Sequence, residues 1–158
     1  VPSSVGGANL STIAENAFNE WESAINNKID VVRGDDTAIT RKSLDGINII
    51  TWGSASGSAL AVTYIWYYPS TGEVAELDTI MNKKFFWMWS QMATDCAYIE
   101  SYDAQNILTH EIGHWFGLDD EYDATNYQNA TMYGYGSKTE VKKNTLTDGD
   151  INGLRAIY

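Results

Sequence analysis

The chain has 158 residues, the length of one domain with one core, and 44% hydrophobic content marks it as globular. A formal net charge of −11 argues against nucleic acid or an anionic membrane as a partner, because both reward clustered Lys and Arg. No stretch approaches the roughly 20 apolar residues of a membrane-spanning helix. Residues 1–10 lack a basic segment followed by an apolar run, so any signal or pro-segment is expected to have been removed or never present.

In chain order, residues 11–27 predict an amphipathic helix, with Ile13, Ala17, Phe18, Trp21, Ala24 and Ile25 at three- and four-residue spacing. Ser11 or Thr12 would cap it, and Thr12 with Glu15 has capping-box spacing. Residues 28–34 and 46–53 are rich in β-branched side chains and predict two short strands, the second followed by a flexible "GSASGS" loop. Residues 59–68 and 73–82 predict a hairpin around "PSTG". Residues 83–101 fit neither the helical nor the strand period. They contain Cys96, the only cysteine, which excludes an intramolecular disulfide and reads as a quiet thiol.

Residues 103–116, "DAQNILTHEIGHWF", predict a second helix, with Asp103 or Ser101 as N-cap and Gly117 as its stop. From Leu118 to about Thr145 there is little periodicity, and long irregular stretches in compact domains are usually functional. The end of the chain predicts a third helix. Thr147 and Asp150 have capping-box spacing, Leu146 and Ile151 suit a hydrophobic staple, and Ile151, Leu154 and Ile157 make one face. No repeat, low-complexity tract or linker divides the chain, so a single domain over residues 1–158 is expected.

The chemistry concentrates in "HEIGHWFGLDDEYD", residues 110–123. On a helix, residues four apart lie about 40° apart and one turn along, so His110 and His114 can converge on one ion. Zinc takes imidazole nitrogens at about 2.0–2.1 Å. Glu111 points in an adjacent direction, near the ion without ligating it, as a general base for an activated water must. These are the only two histidines in the chain, and both fall in one five-residue motif. A third ligand must then be a carboxylate or a thiol. Asp119, Asp120, Glu121 and Asp123 are close in sequence, whereas Cys96 has no ligand neighbours. Gly117 would let the chain turn sharply so that a residue three further on returns to the ion.

The order His-Glu-x-x-His-x-x-Gly-x-x-Asp, with Met132 in "ATMYGYG" downstream, resembles the metzincin zinc peptidases, which carry a Met-turn beneath the metal. Most of the chain is similar to the matrixins in particular: "AFNEW" in the first helix, "SYDAQNILTHEIGHWFGLDD" at the site and "LTDGDINGLRAIY" at the end. The resemblance implies an α+β fold with a twisted mixed sheet, an antiparallel edge strand, an active-site helix and a C-terminal helix. It implies a secreted or extracytoplasmic, monomeric zinc endopeptidase acting on protein or peptide substrates. It implies one zinc held by His110, His114 and Asp120, Glu111 as base, Gly117 and Met132 as structural residues, and a pocket near Tyr133, Gly134 and Tyr135. It also implies that "LAVTYIWYY" is the edge strand above the cleft.

The departures are specific. Asp120 stands where matrixins have a third histidine, as in the snapalysins. Gly134 stands where matrixins often have proline and where astacin-like enzymes have a metal-facing tyrosine. A second, histidine-bound structural zinc is excluded, because no further histidine exists. Three other signals weigh less. "DGDING" at 148–153 matches half an EF-hand loop, but its twelfth position would fall beyond Tyr158, and a helix accounts for every residue. Calcium at Asp119, Glu121 and Asp123 is conceivable, but no site can be assigned, and a solvated acidic surface is the default. The sequons at Asn9 and Asn129 carry no information without a host. The competing readings are a non-catalytic module that binds a surface polymer through Trp52, Trp66, Trp87 and Trp89, and a zinc site completed by Glu140.

Overall fold

The computed structural model describes residues 4–5, 8–90 and 99–158, so Cys96 lies outside the described residues. Strands β1 (Ser4–Val5) and β2 (Ala8–Asn9) pair antiparallel and lead directly into helix α1 (Leu10–Ala24). The cap of α1 is Asn9, whose side chain accepts from Thr12 N at 3.3 Å, and not Ser11 or Thr12. The helix begins earlier than its sequence suggests because Leu10 is already buried and extends the Ile13, Ala17, Trp21, Ala24 stripe by one turn.

Residues 28–34 form no strand, which corrects the sequence reading. β-branched content suits a pleated surface, but a strand needs a neighbour. Here Val31 N donates to the Glu22 carboxylate at 2.7 Å, and Val32 is 81% exposed. The second expected strand is also shorter than residues 46–53: β3 spans Ile49–Gly53. The preceding residues instead serve the buried carboxylates of β5 (Val74–Asn82), once β4 (Ala61–Tyr67) is in place. Asp45 N and Gly46 N donate to Glu76, and Ser43 N and Ile49 N donate to Asp78. These amides satisfy two carboxylates that are each 1% exposed, so no cation is needed there.

The predicted hairpin is present. β4 and β5 pair antiparallel, and Tyr68 N donates to Glu73 O at 2.8 Å across a turn in which Gly72 has φ +75°. β3 pairs parallel with β5, which gives a mixed sheet in the order β3-β5-β4 with the antiparallel strand β4 at its edge. A second small sheet pairs β6 (Trp87–Met88) parallel with β7 (Tyr102–Asp103).

Helix α2 (Ala104–Trp115) is capped by Asp103, which accepts from Asn106 N at 2.8 Å. It ends in a Schellman motif: Gly117, at φ +85°, donates to His114 O, and Leu118 donates to Gly113 O. α2 packs against both α1 and the strands β4 and β5. Trp21, Trp52, Met81, Trp87, Leu108, Ile112, Phe116, Met132 and Leu154 fill the shared core. The short helix α3 (Ala124–Tyr127) and a single 3-10 turn (Lys142–Asn144) interrupt the irregular segment. Helix α4 (Asp148–Ile157) carries the predicted capping box between Thr147 and Asp150. Leu146 and Ile151 both pack against the core, while Ile157 is 50% exposed and extends that face into solvent. The architecture is therefore α+β. No helix among the described residues is long and apolar enough to cross a membrane.

Candidate active site

α2 presents the two histidines on one face, with ring centroids 5.0 Å apart and ring planes near perpendicular. His110 is 7% exposed and His114 half-buried. Each ring has its Nδ1 on a backbone carbonyl: His110 on Thr131 O at 2.8 Å, His114 on Leu118 O at 2.7 Å. A carbonyl only accepts, so Nδ1 carries the proton in both rings, and each Nε2 is left with a lone pair. Such outer-shell bonds fix the tautomer a metal requires. The second of them depends on the Schellman turn, because Leu118 O reaches His114 only after the chain reverses at Gly117.

The same reversal returns Asp120 to the histidines. Its Oδ1 lies 3.0 Å from His110 Nε2 and 3.8 Å from His114 Nε2. All three ligand atoms fall within 4.8 Å of one another, and the structure places no other such group among the described residues. A proton on His110 Nε2 would be donated to Asp120 and would hold its carboxyl below its ordinary pKa; charge on the two rings and the Tyr122 hydroxyl would assist, and burial opposes. Two lone pairs and a carboxylate converging in this way need a cation or a proton among them. Two imidazoles and one carboxylate are a donor set that suits zinc.

Glu111, 5% exposed, does not join the ligand group. Its Oε2 accepts from Thr63 Oγ1 of β4 at 2.6 Å. Glu140 is also outside the group: its carboxylate accepts from Asn106 Nδ2 at 3.2 Å and pairs with Lys142 at 3.4 Å. The geometry therefore removes Glu140 as a rival third ligand. The other acids have local duties. Asp123 caps α3, and Glu121 accepts from Tyr122 N and Asp123 N. Among the described residues no second group of acids converges as a calcium site would require.

Met132 is 5% exposed and packs beneath α2. A Cβ at Gly113 would collide with the Met132 sulfur and the Trp21 ring, so glycine between the two histidines is what lets them approach. The segment is held from below by Asp150. Its carboxylate accepts from Thr131 N at 2.9 Å, Met132 N at 3.0 Å and Thr147 N at 2.8 Å. Capping-box spacing marks Asp150 as a helix cap; its second duty involves amides 18 and 19 residues away and has no local signature.

Asp150→Ala would leave three amides short of an acceptor in a buried place. It should destabilise the fold by on the order of 3 kcal/mol, read from a denaturant midpoint. A loss below about 1 kcal/mol, the size of an ordinary cap, would contradict this dual role.

The residues expected to line a pocket are brought beside the site. Glu121 bridges to Tyr133, and Tyr133 and Tyr135 stack edge-on at 5.6 Å. Gly134 has the Tyr122 ring where a Cβ would sit, and Tyr122 OH donates to Asp120 Oδ2 at 3.1 Å. Lys143, 1% exposed, donates to Tyr133 O, and burial pulls its amine down to about 8. Sequence reasoning missed Thr63, Tyr122 and Lys143. Only Tyr122, two residues after Asp120, had positional proximity to suggest it.

The Matrixin family model matches residues 2–158. No curated protein matches the chain. The match runs through both flanks of the site as well as the site itself, so the motif is embedded in its expected surroundings. The chain belongs to the matrixin family of zinc metalloproteases.

Proposed function

We propose that the chain is a zinc endopeptidase, acting as a single monomeric catalytic domain outside the cytoplasm. The observation that carries this reading is the convergence of His110, His114 and Asp120 within 4.8 Å, with Glu111 beside them and outside the ligand set. His110 Nε2, His114 Nε2 and a carboxylate oxygen of Asp120 would hold the zinc, in the Asp-containing variant of the metzincin arrangement. Bound zinc supplies Lewis acidity, which lowers the pKa of a water and polarises the scissile carbonyl. Glu111 accepts the proton of that water and passes it to the leaving amine, with no covalent enzyme intermediate. Met132 forms the floor under the histidines, in the manner of a Met-turn.

Among the described residues β4 pairs only with β5, so its other edge would offer backbone groups to an extended peptide, which would add as an antiparallel strand. Tyr133, Gly134 and Tyr135 would form one wall of the pocket for the side chain just after the scissile bond. An apolar or aromatic residue is expected there in a peptide-library profile. A profile dominated by charged residues at that position would contradict the wall assignment. Of the four tryptophans of the polymer-binding alternative, Trp52 and Trp87 are each 2% exposed and pack on one another at 5.4 Å in the core, so they cannot form a binding face, while Trp66 and Trp89 are partly buried.

Casein or peptide hydrolysis before and after chelation tests the reading. Activity should vanish with the metal and return on adding zinc. Undiminished hydrolysis by metal-stripped protein would overturn it.

A further inference from the structure

Glu111 is tied into the sheet by a chain of hydrogen bonds that begins and ends on α2. Trp115 Nε1 donates to Thr79 Oγ1 at 2.8 Å. Thr79 and Thr63, directly opposed on β5 and β4, have their hydroxyl oxygens 2.8 Å apart. Thr63 Oγ1 reaches Glu111 Oε2 at 2.6 Å. The direction of every proton follows from the two ends. An indole N–H only donates, and a carboxylate only accepts. If Thr63 turned its proton toward Thr79, its lone pairs would face Oε2 at 2.6 Å and repel it. Thr63 must therefore donate to Glu111, Thr79 to Thr63, and Trp115 to Thr79. Thr79 is fully buried, so no solvent competes for its single proton. Glu111 Oε1 has no hydrogen-bond partner among the described residues.

We propose that Thr63 is a positioning residue for the reaction, which locks Oε2 of Glu111 so that Oε1 is the oxygen presented to the water. The proposal rests on the base role of Glu111 stated above. In the forward step a water O–H bond breaks and an Oε1–H bond forms. In the return step Oε1–H breaks and an N–H bond forms on the leaving amine. Thr63 keeps its own proton throughout; it holds the carboxylate still while charge comes and goes. The cross-strand pair of threonines thus sets the orientation of the base from the strand that also borders the cleft.

The test compares zinc-loaded Thr63→Val, Thr63→Ser, Thr79→Val and Glu111→Gln. Misplacing a reacting group by about 1 Å can cost about 10²-fold, so Thr63→Val should lower kcat by roughly 10- to 100-fold. KM and zinc content should stay as they are. Thr63→Ser, which keeps the hydroxyl, should recover most of the rate. In the Glu111→Gln background, Thr63→Val should cost nothing further. A second readout is independent of activity. The Trp115 indole N–H resonance, assigned through Trp115→Phe, should shift in Thr63→Val, because Thr79 loses its acceptor, and should stay in place in Thr63→Ser. Unchanged kcat in Thr63→Val beside a collapsed Glu111→Gln overturns the positioning role and leaves the base standing. Full activity in Glu111→Gln overturns the base reading itself. A loss expressed in KM or in zinc content also overturns the proposal. Should Thr63→Val not fold, Thr79→Val cuts the same chain one link earlier. A lower kcat with a shifted indole supports the relay, and no change in both overturns it.

Discussion

Glu111→Gln is expected to cut kcat by about 10²–10⁴ while the protein keeps its zinc and its fold. Glutamine has the same shape, and its amide oxygen can still accept from Thr63, so the packing of a 5% exposed side chain is undisturbed. What it lacks is a place for the proton. Glu111→Ala should lose as much activity and some stability as well, because the Thr63 hydroxyl would then donate to nothing. Steady-state kinetics beside metal analysis checks both. A loss of only a few-fold in Glu111→Gln with normal zinc content would remove Glu111 as the principal base.

The second large effect concerns the third ligand. Asp119 and Asp120 are neighbours, and both are acidic and exposed by residue. Only Asp120 is turned to the histidines, 3.0 Å from His110 Nε2, by the reversal at Gly117. Asp120→Ala should therefore release zinc at modest chelator concentrations. The loss of affinity should exceed the roughly 10–100-fold typical of removing an outer-shell partner. Asp119→Ala should hold zinc as the parent does. A competition titration with a chromogenic chelator separates the two. Equal affinity in both variants, or release from Asp119→Ala alone, would show the assignment to be wrong.

The parts of the site legible in the sequence were those with local spacing. His110, Glu111 and His114 share one helix, and Asp120 follows its glycine stop by three residues, so short-range geometry is enough to place them. The same holds for Asp103, the capping box of α4 and the hairpin around "PSTG", each written within a few residues. What stayed hidden depends on distant contacts. Thr63 is 48 residues from Glu111, and nothing in the period of a β-strand says which hydroxyl will face the base. Asp150 could be read as a cap but not as the anchor of Thr131 and Met132. The strand expected at residues 28–34 failed for the same reason in reverse. Its composition was suitable, but Val31 found the Glu22 carboxylate instead of a neighbouring strand. The late cap of α1 was misplaced because Leu10 enters the core, which only the packed structure reveals.

The most direct test of the site is anomalous scattering at the zinc edge from crystals of the zinc-loaded protein. The account predicts one strong peak about 2.0–2.2 Å from each of His110 Nε2, His114 Nε2 and an Asp120 carboxylate oxygen, with Glu111 outside bonding distance. A peak coordinated by Asp119, by Glu140 or by Glu111 in place of Asp120, or no peak at the two histidines, would contradict it.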